Sequence, residues 1–267
     1  MSNANNGLHA TEMLKLAAAL NCPTSQLQAL TPLKAGELRK LRTLYQDIAF
    51  RRFAPLCRRL AQATRLLPKA VSSQLAESVF GPQLSAHIMV HMPARHFSKI
   101  AERLEDEFLA NLLHYLDGRR AADLLADIPL PLAERLIHAC LLKQDFPALA
   151  ELAEQLPRDQ VLSLAEALQS PADLIRVSRY ITDKPSLTQL VSGLNENLVA
   201  EALLASKDSP ELTDAALELL SFMPVAIQHA AAAQGMSSSP ETTAELARLA
   251  ITHPRRSALE AFIQSCR

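Results

Sequence analysis

Tryptophan is missing from these 267 residues, and glycine is reduced to six positions, 7, 36, 81, 118, 193 and 235. No two glycines lie closer than 29 residues apart, so no glycine-rich loop can wrap a phosphate, and Rossmann and P-loop nucleotide sites are excluded. GxSxG, HExxH and CxxC are absent as well, so no conventional catalytic constellation is written in the chain and a non-enzyme is expected. The four cysteines, Cys22, Cys57, Cys140 and Cys266, are widely spaced, with neither the rhythm of a zinc site nor the density of a disulfide scaffold. No uncharged apolar run approaches the roughly 20 residues that cross a bilayer, and the N-terminal MSNANNGLHATEMLKLAAAL lacks a basic start and is interrupted by Lys15. A soluble, cytoplasmic protein without a leader is the expectation.

What is abundant is alanine and leucine. With 49% apolar residues but only 4% aromatics, the composition favours helix over strand and can bury a core. The chain also repeats itself. Six segments end on a marker, Pro68, Pro93, Pro129, Pro157, Asn195 and Pro224, in pieces such as RRAADLLADIP (119–129), LAELAEQLP (149–157) and AALELLSFMP (215–224). One residue before the marker stand Leu67, Met92, Ile128, Leu156, Leu194 and Met223. Five before stand Ala63, Ile88, Leu124, Leu152, Leu190 and Leu219. Both slots are apolar in every copy, on a stripe of about 3.6-residue period. The slot six before is always polar, filled by Gln62, His87, Asp123, Glu151, Gln189 and Glu218, and is expected to face solvent. A second helix is predicted after each marker, with the proline at or near its first turn.

The later markers advance by 36, 28, 38 and 29 residues, so two helix pairs form a larger unit of about 65 residues. A shift of 64 or 65 lays Ala101 on Ala165, Leu104 on Leu168, Leu112 on Val177, Tyr115 on Tyr180 and Leu116 on Ile181. HPRRSALEAF (253–262) echoes DGRRAADLL (117–125), as if the chain ended inside a third unit. Ser170-Pro171, Ser209-Pro210 and Ser239-Pro240 each pair a serine N-cap with a proline at the first helical position. The fold expected is all-α, with helical pairs stacked into an α-α superhelix or solenoid. Residues 1–57 are read as an N-terminal helical cap with basic helices, continuous with repeats over 58–267 in one elongated domain.

The pattern of LLADIPLPLAERLI and LAEQLPRDQVLSLAEAL resembles the helical-repeat intracellular N-terminal domain of MgtE-type magnesium transporters, a domain related in architecture to the middle region of the flagellar motor switch protein. The likeness covers residues 58–230 and implies the stacked-helix fold. In those transporters the domain moves against a regulatory domain and a membrane domain, and acidic residues share magnesium. Neither accompanying domain is present in this sequence. The densest acidic cluster, Glu105-Asp106-Glu107, opens a predicted helix, where the dipole alone favours acids.

Two features invite a site. His87 and His91 are four residues apart, which on a helix places two imidazoles on one face, with His96 close by. Together they form a candidate metal or haem site, although their slots elsewhere in the repeat are simply polar. Residues 34–69 carry ten Lys and Arg against Glu37 and Asp47, a local balance of plus eight in a chain whose total is minus one. Arg51, Arg52, Arg58 and Arg59 are the candidate contacts to an anionic partner, on one or two helices broken near Pro55. Leu38, Leu41, Leu44, Tyr45 and Ile48 are expected to supply the core stripe of that segment. The function expected is a non-enzymatic scaffold that holds a partner protein and needs no cofactor. Binding of nucleic acid or an anionic surface through 34–69 is the alternative, and metal or haem binding through His87 and His91 is a third.

Overall fold

The computed structural model describes residues 2–166, 168, 170–181, 187, 191 and 193–266, and every regular element among them is helical. In chain order these are α1 (Ser2–Leu20), α2 (Ala35–Thr64), α3 (Lys69–Leu75), α4 (Gly81–Met89), α5 (Ala94–Ala101), α6 (Asp106–Tyr115), α7 (Gly118–Ala126) and α8 (Leu130–Leu142). There follow α9 (Phe146–Ala153), α10 (Arg158–Glu166), α11 (Pro171–Ser178), α12 (Glu196–Ala205), α13 (Pro210–Leu220), α14 (Val225–Ser238), α15 (Pro240–Thr252) and α16 (Glu260–Ser265). None of these helices is long and apolar enough to cross a membrane.

The markers stand one position outside the helices they open. Pro68, Pro93, Pro129 and Pro224 are the N-caps of α3, α5, α8 and α14, each with ψ between 144° and 149°. Proline loses nothing there, because an N-cap needs no N–H of its own while its carbonyl accepts from the first turn, as Pro93 does from His96 and Phe97 at 2.8 and 3.1 Å. Asn195 caps α12 by accepting from the Asn197 amide at 2.9 Å, which explains how it replaces proline in its copy. Ser170, Ser209 and Ser239 also occupy N-caps before prolines, but none of their side chains makes the capping hydrogen bond.

The chain divides into two units, Ser2–Pro157 and Arg158–Arg267. The boundary expected at 57/58 falls inside α2, whose 30 residues run unbroken through Pro55. Within the first unit each helix packs on the one two places along, α2 on α4 on α6 on α8 in one layer and α3 on α5 on α7 on α9 in the other. Helix α1 lies on α2 and α6. In the second unit α11 packs on α12, α12 on α14 and α14 on α16, with α13 packed on α15. Alternate helices can share a layer because each carries apolar residues on two sides, as α6 does with Leu109, Ala110, Leu112 and Leu113. The pairs Leu112 and Val177, and Leu116 and Ile181, are buried in both copies of the 65-residue unit. The terminal echo is not kept, since Gly118–Ala126 is α-helical while Arg256–Leu259 is a 3-10 turn.

Two register expectations need correction. Ala63, in the first copy, is exposed, because that copy is the end of α2, where Ala54, Cys57, Ala61 and Thr64 form the buried face instead. The polar slot is not uniformly solvated: Gln62 and Asp123 are exposed, but His87, Glu151 and Glu218 are half-buried, and Gln189 lies outside the described residues.

Candidate functional site

Helix α2 carries the basic segment. At about 100° per residue, positions 41, 44, 48, 52, 55 and 59 fall on one strip of its surface. The strip begins with Leu41, Leu44 and Ile48 and continues through Arg52, Pro55 and Arg59, with Arg51 and Arg58 on its flank. The expected core stripe is therefore only partly a core. Leu38 is fully buried, whereas Leu44 and Ile48 are 57% and 59% exposed, and Leu41, Tyr45, Phe53 and Leu56 are exposed too. Arg51, Arg52, Arg58 and Arg59 are all exposed, and among the described residues none of the four meets a carboxylate. Arg39, by contrast, is bound to Glu12.

Towards α4 and α9 the same helix borders a polar cleft that the sequence did not announce. Glu12 and Lys15 of α1 are almost fully buried, and Glu12 receives Arg39 Nε at 2.9 Å and Arg42 Nε at 3.4 Å, one on each oxygen. Arg42 reaches on to Glu151 of α9 at 3.4 Å. Arg120, at the start of α7, binds Asp47 and Asp117, the latter at 3.1 Å, and stacks its guanidinium 3.9 Å above the Phe50 ring. His114 Nδ1 and Asp145 Oδ2 are 2.7 Å apart, and Asp145 also caps α9 by accepting from the Ala148 amide. The cleft, lined by Lys15, His114, Asp117, Arg120, Asp145 and Glu151, has a cavity volume of about 80 Å³.

The environment moves several protonation equilibria. Burial pushes the Lys15 ammonium below the ordinary lysine value, opposed by Glu151 and Glu154. Burial pushes the Glu151 carboxyl up, opposed by Lys15 and Arg42. His87 is held below the usual histidine range by burial. His114 is raised, chiefly by its hydrogen bond to Asp145 and against the effect of burial. A raised histidine stabilises the fold fully below its unfolded value near 6.5 and loses that contribution as pH climbs through its folded value. The melting-temperature gap between the protein and His114→Gln is thus expected to be widest near about pH 5.5 and to narrow by about pH 8. A gap that does not vary with pH would remove the assignment.

The three candidate metal histidines do not converge. Helix α4 ends at Met89 and His91 lies in the turn beyond it, where burial, Arg58 and the nearby His87 hold its imidazole below the usual range. The His91 ring packs 5.2 Å from Phe50, while His96 on α5 accepts from Lys69 Nζ at 2.6 Å. Among the described residues no group of three or more His, Cys, Asp or Glu is arranged to hold a metal ion. Glu105-Asp106-Glu107 opens α6 as the dipole expects, and two of its acids are engaged: Asp106 by Arg135 at 2.6 Å, and Glu107 by Lys143 at 3.3 Å.

Lys15, Arg42 and Glu151 were not legible as a cluster. Lys15 looked like an interruption of an apolar run, Arg42 like one of ten basic residues, and Glu151 like a solvent slot; only folding brings 15, 42 and 151 together. No protein-family profile, curated protein or solved structure matches this chain.

Proposed function

We propose that the protein is a helical-repeat binding module of the cytoplasm whose α2 strip holds an acidic, amphipathic helix of a partner protein. The observation that carries this reading is the strip itself, three exposed aliphatic side chains running into arginines that meet no carboxylate among the described residues. An apolar surface of this kind favours a protein occupant, and the bare guanidinium groups favour carboxylates. A second copy of the chain is a poor occupant. Parallel pairing of the strip sets arginine against arginine, and antiparallel pairing sets arginine against leucine. The stacked layers, and the resemblance to the transporter N-terminal domain, support a role in which helices present a surface rather than perform chemistry. The unmatched arginines also favour a second reading, nucleic acid bound through its phosphates, and the two differ in what the apolar half does.

The test uses fluorescence anisotropy with a labelled helical peptide, two leucine-rich turns followed by two glutamate-rich turns, beside a scrambled peptide of equal composition and a short DNA duplex. The patterned peptide is expected to bind at least about tenfold more tightly than either control, and to be released both by Arg51→Glu/Arg52→Glu/Arg58→Glu/Arg59→Glu and by Leu44→Ser/Ile48→Ser. Duplex DNA binding as tightly, with no effect of the Leu44 and Ile48 changes, would establish the second reading. Equal affinity for the patterned and scrambled peptides would refute the proposal.

A further inference from the structure

We propose that the cleft of the first unit binds a small hydroxy or amino acid, whose carboxylate is received by the Lys15 ammonium and whose neighbouring donor is received by the side-chain carbonyl of Gln46. The site is separate from the α2 strip, and the two proposals stand or fall independently.

Most charged groups around the cleft are already satisfied. Asp117 is bound by Arg119 and Arg120, Asp145 by His114 and an α9 amide, and Glu151 by Arg42. Lys15 is different. Only 4% of it is exposed, it lines the cleft, and among the described residues no hydrogen-bond acceptor or ion-pair partner reaches it; Glu151 and Glu154 act on it only through space. An ammonium on so buried a side chain gains from any acceptor that enters the cleft. Gln46, one turn beyond Arg42 on α2, poses the complementary demand: the residue lines the same cleft, and its buried Oε1 has no donor. The two residues ask for a molecule that accepts at one end and donates at the other.

Size and charge narrow the class. A cavity of about 80 Å³ is roughly half the ~150 Å³ that admits benzene, which limits the occupant to an acid smaller than benzene. Lys15 feels Glu151 and Glu154 only through space, so a monoanion that takes its donors directly is the smallest charge the cleft need accept. A phosphate dianion would instead meet the fields of Asp117, Asp145 and Glu151 on the opposite walls. Phe50 and Tyr45 supply the apolar side of the pocket, against which the carbon of such an acid can rest.

Calorimetric titration of the whole protein at about neutral pH with glycolate, glycine, acetate, inorganic phosphate and chloride tests the assignment. Saturable binding of glycolate or glycine is expected, with acetate at least about tenfold weaker because it offers Gln46 nothing. Lys15→Met is expected to weaken the preferred acid by at least about tenfold while keeping the helical circular-dichroism spectrum. If that variant does not fold, side-chain NMR of the unmodified protein decides: the Lys15 ε-carbon signal is expected to shift on saturation with the acid while exposed lysines stay still. Failure of both glycolate and glycine to saturate overturns the proposal. So does phosphate or chloride binding as tightly, undiminished affinity in folded Lys15→Met, or a Lys15 signal that does not move.

Discussion

Replacing Arg42 by methionine is expected to cost the first unit about 3 to 5 kcal/mol, the range for removing one partner from a buried ion pair. Arg42 keeps only 10% of its side-chain exposure and joins Glu12 of α1 to Glu151 of α9. Methionine fills much of the same volume, so the loss is chiefly electrostatic. Glu12 keeps Arg39, but Glu151 is left with Lys15 acting through space. Because burial already pushes the Glu151 carboxyl up, loss of Arg42 raises it further, and a protonated Glu151 no longer needs a cation. The cost of Arg42→Met is accordingly greatest well above the Glu151 pKa and shrinks as pH falls through it. Urea unfolding at about pH 7 and pH 5 measures this, and Glu151→Gln completes the cycle. The double variant is expected to lose at least about 1 kcal/mol less than the two single losses added together. Strict additivity would show that the Arg42–Glu151 contact carries no energy.

The second large effect has the opposite sign. Pro55→Ala is expected to stabilise the protein by about 2 kcal/mol, the roughly 3 kcal/mol preference of a helix interior for alanine less up to about 1 kcal/mol for the looser unfolded chain. Pro55 is exposed within the continuous helix α2, so the substitution disturbs no packing and restores one amide donor to the ladder. The helix tolerates proline because it is pinned on both sides, by Leu38 and Arg42 before it and by Cys57, Ala61 and Thr64 after it. An unchanged urea midpoint, with an unchanged dependence on denaturant, would mean that the helix gains nothing from the missing amide.

Pro55 also shows where reading the sequence stops. Proline spacing located helix starts well, because a proline N-cap is a local event decided by the few residues around it. The same residue type inside α2 suggested a break, since local rules cannot see the tertiary contacts that hold the flanking turns. Apolar periodicity found Phe97, Ile100 and Ala101, all buried, but it placed Leu44 and Ile48 in a core that does not cover them. Periodicity reports that a face is apolar, not whether a neighbour arrives to cover it. The all-helical class was legible from alanine, leucine and scarce β-branched residues. The basic strip was legible in part, as arginine pairs. The cleft was not, because its charged residues come from helices spread from position 15 to position 151, and each has an ordinary local explanation.

Stacking each helix on the one two places along has a kinetic corollary. Most contacts between helices in either unit close loops of a few dozen residues, so little chain entropy is surrendered before an emerging pair finds its cover. Such a chain can gather its structure progressively as it leaves the ribosome, each new rod completing the shelter of one already made. The late step is then the closure of α9 against α2, where Arg42, already joined to Glu12, reaches Glu151 across 109 positions of backbone.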